Sequence, residues 1–106
     1  MSETIAFAGP LQAMAIKDGY DPIGFVSLTG AAAEAVAAHE LARRLELGRR
    51  RGFGSVKVAV TLGESTWTTS LFPQKSGGWF LPIKKPVRVA EGLAFGAPVE
   101  GELGLL

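Results

Sequence analysis

The sequence predicts a mainly β domain, a small barrel of about six strands with one main helix and one short helix capping its ends. Three observations carry this. Apolar and polar residues alternate through residues 55–62 and again from Thr66 to Phe72, the two-residue period of a half-buried strand. Fourteen glycines and six prolines imply many turns and short strands. A single stretch, Gly30 to Leu47, has the composition of a long helix. At 106 residues the chain is one domain, residues 1–106, and hairpin-like connections in so short a chain close most economically into a barrel.

From the N-terminus, Ile5, Phe7, Leu11 and Ala13 alternate within Ile5 to Ile16, with Gly9-Pro10 interrupting. This predicts one strand with a bulge or bend near a sheet edge, because proline cannot donate to a ladder. Lys17 to Pro22, KDGYDP, has turn chemistry, and Ile23 to Leu28 completes a hairpin. Thr29 is placed to cap the helix that follows and Gly48 to stop it. Glu34, Ala38, Leu41 and Leu45 share one helical face while Ala32, Val36 and Leu47 fall on another, so a break near His39-Glu40 is expected.

Val56, Val58, Val60 and Leu62 form one face of the clearest strand. Gly63-Glu64-Ser65 turns into the strand Thr66 to Phe72, giving a second hairpin. After a loop with a Gly-Gly tip comes a short apolar strand, Trp79 to Ile83. Lys84 to Gly92 reads as a short helix with Pro86 in its first turn. Phe95 to Pro98 turns again, and Val99, Gly101, Leu103 and Leu105 form the closing strand.

Composition excludes much chemistry. Without cysteine there is no disulfide, thiol nucleophile or thiolate metal site, which suits a reducing cytoplasm. No apolar run approaches the roughly 18 residues of a membrane span, and the N-terminal residues lack a signal-peptide layout, so a protein of the cytoplasm with no membrane partner is expected. The net charge of +1 conceals an asymmetry: Arg43 to Arg88 holds ten Lys or Arg against two acids, and the remainder one Lys against eight acids. The basic middle is either a solvated surface or an anion-binding face.

The stretch RRRGFGSVKV, Arg49 to Val58, comes close to the RNA-recognition signature K/R-G-F/Y-G/A-F-V-x-F/Y. Phe53 fits, but Ser55 and Val58 stand at the other two aromatic positions, and no strand fits between the helix and Ser55 as that fold requires. A sharp turn at Gly52 and Gly54 explains the letters better, with Phe53 covering the barrel end and Arg50 and Arg51 in solvent. Arginines beside a glycine-rich turn also offer an anion site. Trp67 to Pro73 sets Thr68 and Ser70 beside large aromatics; they pair across strands or face a ligand cleft. Lys84, Lys85 and Arg88 lie on one side of the short helix and could join Arg50 and Arg51 in a phosphate-binding strip.

A catalytic triad would have to recruit the one histidine, His39, embedded in the Ala-rich helix. Asp18 and Asp21 belong to a turn, and no phosphate-binding glycine loop of either common type is present. No catalytic residue, metal or cofactor is therefore assigned.

The stretches RRRGFGSVKVAV, TWTTSLFP, GWFLPIKKPVR and AEGL together resemble the bacterial domain of unknown function DUF1905, with the specific likeness in roughly the C-terminal half. The resemblance implies a compact double-split-type β-barrel capped by helices, hence a closed or split barrel. It implies no catalytic residue. Such domains occur alone or joined to a segment described as bacteriocin-protection, YdeI or OmpD-associated, which is not in this sequence. Where the family often has Gly-Asp before the last strand, this chain has Gly96-Ala97-Pro98.

These readings favour a non-catalytic binding or interaction module for an unknown protein or small ligand, with a pocket or patch near Phe53, Trp79 and Arg88. The alternative is binding of nucleic acid or another polyanion through residues 43–88. An enzyme, the third possibility, would need a concave site near Thr68, Ser70 or Lys84.

Overall fold

In the computed structural model, which describes residues 4–48 and 54–106, the elements run β1 (Thr4–Pro10), β2 (Gln12–Met14), β3 (Ile23–Leu28), α1 (Gly30–Leu47), β4 (Val56–Leu62), β5 (Ser65–Pro73), β6 (Trp79–Pro82), α2 (Lys85–Ala90) and β7 (Pro98–Leu105). All strand pairs are antiparallel, in the order β1-β7-β4-β5-β6-β3-β2. The two ends of that order are consecutive in the chain. One N-terminal segment thus pairs with β7 through Thr4–Pro10 and with β3 through Gln12–Met14, which curls the sheet into a half-barrel.

The described strands number seven rather than about six, because the expected bent strand is two. Pro10 has no N–H for a ladder, and Leu11 leaves the ladder altogether. Its N–H donates to Ala97 O at 2.9 Å, and its carbonyl accepts from Gly96 N–H at 2.8 Å. The side chain of Leu11 is fully buried, so this break is itself packed.

The core lies on the inner face of the curled sheet. Val56, Val58, Val60 and Leu62 of β4 are all buried, while Lys57 and Thr61 face outward, as the alternation predicts. They meet Ile5 and Phe7 of β1, Val26 and Leu28 of β3, Leu71 of β5, Trp79 and Leu81 of β6, and Val99 and Leu103 of β7. Each such side chain contributes on the order of 1.5–3 kcal/mol by leaving water. The β4–β5 hairpin turns at Gly63-Glu64, between the paired Leu62 and Ser65.

α1 is one unbroken helix of 18 residues, not two. Ala32, Ala33, Ala35 and Val36 pack on the core, whereas Glu34, Ala38, Leu41 and Leu45 are exposed. The small-residue face therefore meets the core, and the leucine face points to solvent. Gly48 ends the helix in left-handed backbone at φ 73°, its N–H donating to Arg44 O. Thr29 stands before the helix in extended backbone but makes no side-chain cap bond. Gly30, at φ 61°, takes the turn into the helix, and the threonine oxygen is not aimed at the first-turn amides.

Candidate functional site

The site builds from the start of β3 and the run from β6 into α2. Antiparallel pairing sets Phe25 opposite Pro82, and one step further Ile83 N–H donates to Gly24 O at 2.8 Å. Pro86, near the start of α2, fits the short helix immediately after Lys84, since its fixed φ suits a first turn. Val87 packs against the core, which holds α2 across the end of the two strands. One turn after Lys84, Arg88 reaches back: its Nη1 donates to Ile83 O at 2.8 Å.

Two further surfaces confine that guanidinium. On one side is the β3 backbone at Gly24, where an added Cβ would lie only 2.6 Å from Arg88 Nη1 and 2.9 Å from its Cδ. The Phe95 ring lies within cation–π range, with Cζ 5.1 Å from the centroid. A half-buried arginine held by a carbonyl, a glycine and an aromatic ring has lost much of its rotamer freedom before any ligand arrives. Its other N–H groups find no protein acceptor among the described residues.

Arg88 lines a cleft of about 240 Å³. Pro22, Ile23, Pro82 and Ile83 give it apolar walls, and Asp21, Lys84 and Lys85 stand at its rim. Lys85 Nζ and Asp21 Oδ2 are paired at 2.8 Å. The hydrogen bond from Lys85, then its charge, with a smaller effect from Arg88, holds the exposed Asp21 carboxyl below its usual pKa. Asp21 therefore neutralises Lys85, while Lys84 and Arg88 have no carboxylate within salt-bridge distance among the described residues. The result is an apolar slot with two cations free of salt bridges among the described residues, suited to an anionic group on an apolar body.

Of the residues singled out from sequence, Lys84, Lys85 and Arg88 come together here. Trp79 does not. It begins β6 at the end away from the cleft, is buried, and donates its indole N–H to Ala33 O at 3.3 Å, so it fastens α1 to the sheet. Thr68 and Ser70 lie on the outer face of β5, opposite Ala59 and Lys57 of β4, and neither lines this cleft. Arg50, Arg51 and Phe53, together with the turn at Gly52, lie outside the described residues. Sequence reasoning missed Gly24, Asp21 and Phe95. The signal for Gly24 was present, since a glycine inside the strand IGFVSL marks a close approach.

Four described cations of the basic middle have partners within the chain. Arg43 donates to Leu106 O at 3.3 Å, Arg44 pairs with Glu40 at 3.7 Å, Lys85 pairs with Asp21 and Arg88 binds Ile83 O. A second, shallower depression of about 470 Å³ lies over β1 and β7 beside Glu100 and Glu102; it offers only carboxylates from one strand. Among the described residues no group of three His, Asp or Glu could hold a metal ion, and no helix is long and apolar enough to cross a membrane.

Against this geometry stand two comparisons. The family model described as a domain of unknown function, DUF1905, matches residues 7–103, which extends the likeness well upstream of the C-terminal motifs. No curated protein matches the chain.

Proposed function

The chain belongs to the DUF1905 family, and from that premise we propose that it is a non-catalytic binding module whose cleft between β3 and α2 takes the anionic group of a ligand. One observation carries this: Arg88 is held by Ile83 O, Gly24 and Phe95 with donors to spare beside an apolar wall. Preorganisation of this kind lowers the entropic cost of binding, and a charge-assisted hydrogen bond to a carboxylate or phosphate is worth about 1.5–3 kcal/mol. The half-barrel then serves as a rigid frame, with α1 and α2 as its end caps.

A non-catalytic role is consistent with the surroundings. The single histidine sits in α1, remote in sequence from every cleft residue. Absence of cysteine suits a bacterial cytoplasm. Arg43, Arg44, Lys85 and Arg88 each have a partner within the chain, which supports a discrete anion site at the cleft.

The test is a titration of the ¹⁵N-labelled protein with propionate and with inorganic phosphate, following amide shifts. Saturable shifts confined to residues 21–24 and 82–88, and abolished by Arg88→Met, are expected. Shifts spread over the surface, or unchanged in that variant, would overturn the assignment. A labelled oligonucleotide run in parallel should show no tight binding that weakens steeply with salt.

A further inference from the structure

The cleft does not end at its own rim. Ile23 and Pro82 line it, and by strand alternation they also belong to the outer face of β3 and β6, which carries Phe25 and Phe80. The Phe25 and Phe80 rings stack with centroids 4.5 Å apart at 23°. Phe72 is paired with Phe80 and is 41% exposed; Met14, opposite Ile23, is 44% exposed. The polar groups on this face are neutral: the Gln12 and Gln74 amides both donate to Ser27 Oγ, at 3.3 and 3.2 Å. One strip thus runs from an uncharged aromatic platform into a slot headed by Arg88 and Lys84.

We infer that this strip is the docking surface for the C-terminal end of a partner protein, an extended segment of about three or four apolar residues whose free carboxylate enters the Arg88 cleft. This rests on the anion-site reading above and names its ligand. Charge complementarity selects the occupant. A nucleic acid carries a phosphate at every nucleotide, yet the outward residues of β2, β3 and β6 include no charged side chain, and the cleft at one end of them is lined by Lys84, Lys85 and Arg88. A chain with one anionic terminus and an apolar body matches that distribution. From Phe72 to the cleft is two strand spacings of about 4.8 Å across β6 to β3 and two residues along β6, about 12 Å in all, the length of three or four extended residues at about 3.3 Å each.

The cleft of about 240 Å³ is large enough for one terminal residue.

The experiment uses two pools of dye-labelled peptides with four randomised C-terminal positions, one pool with free carboxylates and one amidated. Both are assayed against the intact chain and against Arg88→Met, Lys84→Met and Phe72→Ser. Propionate titration and sedimentation of the protein alone are run alongside, and amide spectra confirm that each variant is folded. Enrichment of apolar free-acid peptides is expected. Affinity should fall about tenfold or more on amidation or in Arg88→Met, and severalfold in Phe72→Ser. Equal binding of acid and amide pools, or no binding by the free-acid pool at millimolar concentration, overturns the inference; if propionate still shifts the cleft amides, the anion site survives without it. Self-association abolished by Phe72→Ser, or salt-steep oligonucleotide binding that displaces peptide, would assign the strip to another occupant and likewise overturn it.

Discussion

Substituting Gly24 with alanine tests the packing on which the site depends. The new Cβ would stand 2.6 Å from Arg88 Nη1, 2.9 Å from Arg88 Cδ and 3.1 Å from Ile83 O, where comfortable separations are about 3.5–4.0 Å. The strand backbone is fixed by its ladders to β2 and β6, so the arginine must move. Moving it forfeits a charge-assisted hydrogen bond to Ile83 O, about 1.5–3 kcal/mol, and a cation–π contact, about 0.5–1 kcal/mol. Arg88 is only half-buried, and water recovers part of both, leaving a net destabilisation of about 1–2 kcal/mol.

Urea denaturation of the single and double variants with Arg88→Ala measures it. In the Arg88→Ala background the glycine substitution should cost no more than about 0.5 kcal/mol, because only the milder contact with Ile83 O remains. An equal cost in both backgrounds would refute the claim that Gly24 exists to admit Arg88.

Further outcomes follow from the same geometry. NMR titration of Asp21 should give a midpoint below the ordinary aspartate value, since the Lys85 hydrogen bond and charge favour the carboxylate. The pair therefore adds stability above the unfolded-state pKa and loses it as pH falls through the lowered folded value; Lys85→Met should move the midpoint back up. Trp79→Phe removes the bond to Ala33 O while keeping an aromatic ring, and a loss of about 1–2 kcal/mol in thermal or urea unfolding is expected. Anion binding in that variant should be unchanged, because Trp79 lies outside the cleft. Gly63→Ala puts a side chain at φ 59° into the Glu91 carboxylate, which holds Ser65 Oγ at 2.7 Å. It should cost about 2–3 kcal/mol in urea unfolding, more than Ser65→Ala.

The amino-acid sequence by itself determined the local elements. The alternation of Val56, Val58, Val60 and Leu62 fixed which face of β4 is buried, because a strand's side chains alternate whatever it packs against. Gly48 and Pro86 bounded α1 and placed the start of α2 for equally local reasons of backbone geometry. The tertiary structure decided everything that depends on pairing distant segments. It split the N-terminal strand at Leu11, whose partners at 96 and 97 lie more than eighty residues away. It chose the alanine face of α1 over the leucine face, because the side that meets the core depends on how the chain enters and leaves the helix and not on the helix alone. For the candidate site, Lys84, Lys85 and Arg88 were legible as a basic cluster, but not the difference among them. Asp21 neutralises one, Gly24 and Phe95 immobilise another, and these partners meet the cluster only because the register of β3 against β6 aligns residue 24 with residue 83.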